Sequence, residues 1–214
     1  MKYCNLVPVF LIAFLLFPVK TEAMSPESAL KKLRKKYRNV ESLSADFREV
    51  FEWKLTGETV MRKGRLVVTG DNRFRIETPE QLLVCDGKDI YRHNLVKGQV
   101  IIEPVESSGD QLLPQKLLLD FADGFKADGL TSLAVAGSTG FRLDLTPDDP
   151  DAQLISSATL WVSEDDLVVH RLKLVDLNMN STTYFLSNLV FDQQIDASET
   201  TYDPPEGIEV FDLR

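Results

Sequence analysis

Two histidines and two cysteines are all that the 214 residues provide. His93 and His170 each fall in a segment of alternating, strand-like pattern, where a single imidazole is ordinarily a hydrogen-bonded or half-exposed side chain. No glycine-x-serine-x-glycine elbow is present to hold a serine nucleophile, so a hydrolase acting on lipid or cell-wall material has neither nucleophile nor base. Cys85 follows the apolar run Leu82 to Val84 and reads as a small buried hydrophobe. The acidic groups Asp148-Asp149-Pro150-Asp151 and Glu164-Asp165-Asp166 lack the ligand spacing of a calcium loop and read as solvated turns. Asn180-Ser181-Thr182 matches a glycosylation acceptor, a tripeptide frequent by chance. The expectation is a protein with no metal, no cofactor and no catalytic activity.

Basic charge is also scarce. Lysine and arginine number 24 against 33 acids, a formal charge of −9, which argues against nucleic acid as a partner. The longest apolar run, Leu6 to Val19, is about 14 residues and contains Pro8 and Pro18, whereas a membrane-spanning helix needs about 20. With Lys2 before it and Thr21-Glu22-Ala23 after it, this stretch reads as an export signal, residues 1–23, cleaved after Ala23. Cys4 precedes the run, so it is misplaced for lipidation at the mature N-terminus, and the remaining chain has Cys85 alone and no intramolecular disulfide. The expected product is a soluble domain over residues 24–214, with 22 basic against 32 acidic side chains, stabilised by its apolar core.

What is present is patterning. Ser25-Pro26-Glu27 carries a capping hydroxyl, a proline suited to the first helical position and an acid near the positive helix end. Leu30, Leu33 and Tyr37 recur at helical spacing behind it, and the opposite face bears Lys31, Lys32, Arg34, Lys35, Lys36 and Arg38. That basic face is either solvated or a docking patch for anionic head groups or an acidic partner. From Leu43 the period falls to two, with Leu43, Ala45, Phe47, Phe51 and Trp53 on one parity. Further strands are predicted at 60–69, 73–78, 82–85, 89–93, 99–104, 133–136, 141–145, 158–162, 167–175 and 182–191, with Asp86-Gly87 as a hairpin turn. Residues 111–121, rich in leucine around Pro114, read as a short apolar helix, and Ile208 and Val210 as a last short strand. The sum is a mainly β (α+β) domain of about eleven mostly antiparallel strands with two helices.

Several segments, in order, resemble the LolA family of periplasmic outer-membrane lipoprotein carriers. Ser42-Leu43-Ser44-Ala45-Asp46-Phe47 resembles its first strand, Gly64-Arg65-Leu66-Val67-Val68 its second, and Asn72 to Glu77 the segment that follows. Val84-Cys85-Asp86-Gly87-Lys88-Asp89-Ile90-Tyr91 is similar to the family's aspartate-glycine-lysine hairpin, Leu113 to Leu118 to its central helix, and Pro204-Pro205-Glu206-Gly207-Ile208-Glu209-Val210 to its terminal diproline segment. The resemblance implies an incomplete antiparallel β-barrel closed by helices around a cavity for acyl chains. It implies as partners acylated lipoproteins, an inner-membrane ABC transporter that supplies them and an outer-membrane acceptor, for a monomeric carrier in the periplasm. A lipid-binding sensor on the same scaffold is the alternative. Strand parity and the helices nominate Leu33, Phe47, Leu66, Val68, Phe74, Ile76, Leu82, Val84, Tyr91, Leu117, Leu118 and Phe121 as cavity lining. Docking or gating falls to Lys31, Lys32, Lys35 and Lys36, and to Arg73 and Arg75, which would stand in for a basic residue that many family members carry where this chain has Gly70-Asp71.

Overall fold

The computed structural model describes residues 24–108, 123–151 and 153–214. The signal segment and the apolar segment 111–121, with Leu117, Leu118 and Phe121, lie outside the described residues. Among the described residues one α-helix, α1 (Pro26–Tyr37), precedes twelve strands: β1 (Ser42–Glu52), β2 (Thr59–Thr69), β3 (Phe74–Glu77), β4 (Gln81–Cys85), β5 (Asp89–Asn94), β6 (Gln99–Pro104), β7 (Phe125–Val135), β8 (Ser138–Pro147), β9 (Ile155–Ser163), β10 (Val169–Asp176), β11 (Ser181–Phe191) and β12 (Glu209–Asp212). They form one open, curled sheet in the order β12-β6-β5-β4-β3-β2-β1-β11-β10-β9-β8-β7. All pairs are antiparallel hairpin neighbours except two. β1 pairs with β11, joining the two halves, and β12 runs parallel to β6, the one parallel pair in a sheet expected to be mostly antiparallel.

α1 forms as its sequence dictates. The Ser25 hydroxyl accepts from the Ser28 amide at 3.2 Å, Pro26 opens the first turn, and Ala29, Leu30, Leu33 and Tyr37 make one buried stripe. This stripe lies on the inner face of the sheet, against a cluster drawn from nearly every strand: Leu43 and Phe47, Leu66 and Val68, Phe74, Cys85, Ile90, Leu143, Leu160, Leu172 and Leu186. Residues directly opposite in an antiparallel pair share a face, so Phe47↔Leu186, Leu43↔Val68, Val68↔Phe74 and Phe74↔Cys85 trace this inner surface across the sheet.

The outer face is uncovered over most of its width, but the C-terminal chain crosses it at β2 to β6. Val67, Val84, Val100 and Ile102 are buried there, and Thr200, in a 3₁₀ turn at Ala197–Thr200, is fully enclosed. The Tyr202 hydroxyl lies 2.6 Å from His93 Nδ1, and Arg214 reaches the buried Asp89 at 3.0 Å. Strand β4 and the start of β5 are therefore buried on both faces at the Cys85–Ile90 end, whereas β6 keeps Ile101 exposed on its inner side.

Candidate functional site

The inner face narrows the candidate site to what the helix and sheet enclose. Leu33, Phe47, Leu66, Val68 and Phe74 meet there, all nearly inaccessible, with Ile76 half-buried at the margin. Gly64 is matched to Phe47 across β1 and β2, and a Cβ on Gly64 would come within 2.8 Å of the Phe47 ring. Around α1, then, Leu33, Phe47, Leu66, Val68 and Phe74 pack as buried core among the described residues.

Leu82, Val84 and Tyr91 do not join them. Leu82 is paired with Glu77 and His93, and Val84 with Arg75 and Tyr91, a register that places all three on the outer face beneath the C-terminal chain. Inner-face lining from these strands comes instead from Leu83, Cys85 and Ile90. Tyr91 donates to the Asp86 carboxylate at 3.1 Å, and its ring is 5.8 Å from that of Tyr202.

Free space lies at one end of the inner face. A cavity of about 440 Å³, within the range of roughly 300–1,000 Å³ typical of small-molecule sites, is lined by Leu154, Ile155, Leu174, Leu177, Thr182 and Tyr184, with Asp176, Asn178 and Asn180 at its polar edge. Leu174↔Thr182 and Leu172↔Tyr184 continue the inner-face rows, so the cavity opens off the core. Burial pushes the Tyr184 phenol well above its usual range, with Glu49 acting in the same sense. At this end the rim is apolar. Leu154 and Leu177 are more than half exposed, as is Met179 in the β10–β11 turn, and Leu55 at the tip of the β1–β2 hairpin is 94% exposed. The two hairpins are tied by the Lys54 amide, which donates to Asn180 Oδ1 at 3.1 Å. The spacing of Leu174, Thr182 and Tyr184 carried the sequence signal for these lining positions; Leu154 and Leu177 sit in turns with no periodicity to mark them.

The basic candidates divide. Lys31, Lys32 and Lys35 are accessible on the outer side of α1. Lys36 is not free in the same way: its Nζ lies 4.7 Å from the Phe191 ring centroid and donates to the Asp166 carbonyl, and burial draws its pKa down. Arg73 is paired with Asp71 at 2.8 Å and Arg75 with Glu77 at 3.3 Å. Arg75 projects from the outer face, matched to Val67 and Val84, so it does not reach the interior it was expected to gate. Among the described residues no group of three or more His, Cys, Asp or Glu is placed to hold a metal ion, and no helix is long and apolar enough to cross a membrane.

The described residues form a half-open β-shell whose apolar interior is roofed by an amphipathic helix and opens at an apolar rim. The family model described as outer membrane lipoprotein carrier protein LolA matches residues 38–203, and the chain belongs to that family. It is 22% identical over 215 residues to an uncharacterized protein of Methanocaldococcus jannaschii, MJ0687; the match covers 98% of this chain and 61% of that protein, so the chain spans about three-fifths of the relative's length. Among solved structures, an uncharacterized conserved protein from Thermus thermophilus is similar with a TM-score of 0.54 at 12% identity, covering 86% of this chain and 96% of that one. A LolA superfamily protein from Nitrosomonas europaea is similar with a TM-score of 0.43 at 11% identity over 84% of this chain and 99% of that one.

Proposed function

We propose that this protein is a periplasmic carrier, not an enzyme, that holds the acyl chains of lipoproteins against its inner face and moves them from an inner-membrane ABC transporter to an outer-membrane acceptor. The observation that supports this most is the continuity of the cavity at Leu154, Leu174, Leu177 and Tyr184 with the core under α1. An acyl chain enters at the apolar rim and extends toward Phe47, Leu66, Val68, Phe74 and Ile76 as α1 lifts from the sheet.

Each methylene transferred from water contributes about 0.8 kcal/mol, so a chain of about 14 methylenes costs on the order of 11 kcal/mol if left exposed. A carrier must offset that cost without exceeding the bilayer's own affinity, or the cargo would not leave. A site filled by its own helix when empty meets both demands, because loading displaces Leu30 and Leu33 and unloading restores their packing. The experiment is native mass spectrometry of the full protein isolated gently from its own cell envelope. Co-purifying acylated polypeptide supports a lipoprotein carrier, free lipid alone supports a lipid-binding sensor, and the unliganded mass alone contradicts the proposal.

A further inference from the structure

The outer face of the other half of the sheet bears a row of side chains that cargo binding does not use. Cross-strand register sets Lys63 on β2, Arg48 on β1, Phe185 on β11, Arg171 on β10, Trp161 on β9 and Arg142 on β8 side by side along one line. Cations and rings alternate along it. Arg48 lies 3.8 Å and Arg171 5.0 Å from the Phe185 ring centroid, and Arg171 lies 3.9 Å from that of Trp161.

Negative charge is what the row lacks. Arg142 is bound to Asp144 at 2.9 Å, and Asp46, the acid two residues along β1 on the same face, is engaged by Asn188 at 2.6 Å. Among the described residues Arg48, Arg171, Lys63 and Lys173 enter no ion pair. The Nε of Arg171 is buried without a hydrogen-bond partner. Desolvation and the like charge of Arg48 together draw Arg171 below its ordinary value, which identifies two cations repelling across one shared ring. On a chain of net charge −9 this is a local concentration of positive charge.

The spacing selects the anion's form. Arg48 and Arg171 are separated by one intervening strand, so their backbones lie about 9.6 Å apart at roughly 4.8 Å per strand, and their guanidinium carbons, 3.8 and 5.0 Å from one Phe185 centroid, stand at most about 8.8 Å apart. In a polyproline-II segment residues i and i+3 face the same way about 9.3 Å apart. In a β-strand i and i+3 face opposite ways and i and i+2 are only about 6.7 Å apart. A bilayer surface is a poorer match, because Arg48, Phe185, Arg171, Trp161 and Arg142 are all half-buried and lie along the sheet without projecting from it.

We propose that this row is a docking surface for an acidic, polyproline-II-like segment of a partner protein, with carboxylates three residues apart seated on Arg48 and Arg171 and the intervening side chains resting on Phe185 and Trp161.

The test is fluorescence anisotropy of a labelled peptide of four Pro-Pro-Glu repeats titrated with the full protein. An isomer of the same composition with its glutamates in one block, and vesicles containing phosphatidylglycerol, serve as the other arms. The repeat is expected to bind about tenfold more tightly than the block isomer, and Arg48→Gln/Arg171→Gln to weaken it about tenfold or more. Lys63→Gln, at an exposed position away from the rings, is expected to weaken it less and leaves folding undisturbed. Equal binding of the two isomers, or unchanged repeat binding in variants with wild-type circular dichroism, overturns the proposal. Vesicle binding that depends on Arg48 and Arg171 while neither peptide binds also overturns it, and assigns the row to anionic lipid.

Discussion

The hydroxyl of Tyr37 accepts a hydrogen bond of 2.9 Å from the backbone amide of Val169, pinning the last turn of α1 to the first residue of β10. Tyr37 is 3% exposed, and burial holds its phenol protonated well beyond the usual range. Tyr37→Phe keeps the ring and leaves the Val169 amide buried without its partner, which costs about 1–3 kcal/mol. The expected outcome is a lower melting temperature together with faster exchange of a fluorescent acyl probe, because the helix that roofs the inner face is less firmly held. Exchange unchanged in a destabilised variant would separate α1 from gating.

The three accessible lysines of α1 and the tucked fourth should respond differently to charge reversal. Lys31→Glu/Lys32→Glu/Lys35→Glu leaves the buried stripe intact, so stability is expected to fall by less than about 1 kcal/mol, mostly through the helix dipole. Lys36→Glu removes the cation over Phe191 and sets a carboxylate beside Asp166 and Asp192, so it should destabilise more than the other three together. Thermal melts of the two variants decide this. If the accessible three dock the carrier, transfer between vesicles by the triple variant should fall and wild-type transfer should weaken with salt. Equal transfer with no salt dependence would leave them as a solvated face.

How far the sequence was legible follows from how each strand is covered. On β1 and β2 the alternation holds, with Phe47, Leu66 and Val68 on the inner face, although Ser42, Ser44 and Val67 on the outer face are buried at the same end. On β4 it failed: Leu82-Leu83-Val84-Cys85 is apolar throughout because the C-terminal chain buries the outer face as α1 and its neighbours bury the inner, and a strand buried twice carries no parity. Strand β7 was expected only at 133–136 but begins at Phe125. Lys126, Asp128, Thr131 and Ser132 give this edge strand a polar reading, and the register shift between Ala127 and Gly129 breaks its period. The parallel pairing of β12 with β6 joins segments more than 100 residues apart, and no local pattern encodes it.

Acid should destabilise the fold through specific aspartates. At Asp86 desolvation favours the protonated form, but the amides of Lys88 and Asp89 and the Tyr91 hydroxyl outweigh it and hold the carboxyl below its ordinary 3.8. Asp71 and Asp166 are likewise lowered: desolvation is the largest single influence and opposes this, but the Thr69 hydroxyl together with Arg73, and the Ser163 hydroxyl together with the Val168 amide and Lys36, outweigh it. A depressed folded-state pKa contributes stability that is fully present above the unfolded value and is lost as pH falls through the folded value. Stability should therefore decline as pH drops below about 4, and Asp86→Asn should be less stable at neutral pH with a shallower acid slope. Urea unfolding from pH 6 to pH 2 measures both.

Packing at Gly64 is tight enough to be diagnostic of the inner face. Gly64→Ala drives a methyl against the Phe47 ring and the Glu77 carbonyl oxygen, so the strand or the ring must shift, at about 1–3 kcal/mol. Pairing it with Phe47→Leu should recover part of that loss. A double variant no more stable than the sum of the two single changes would show that the strain falls on the backbone and not on the ring.

The central claim is that the apolar guest occupies the inner face through the rim at Leu154 and Leu177, and photo-crosslinking tests it most directly. The full protein is labelled with a diazirine-bearing palmitoyl probe, and the modified residues are mapped by peptide mass spectrometry in the wild type and in Leu154→Glu/Leu177→Glu, whose changes fall at exposed positions that tolerate charge. The account predicts saturable labelling at Leu174, Leu177 and Tyr184, extending to Phe47 and Leu66, and a loss of about tenfold or more in the rim variant, since two charged groups at the mouth oppose entry of an apolar chain. Labelling concentrated on the outer face at Val67, Val84 or Val100, or labelling that does not saturate, would contradict it.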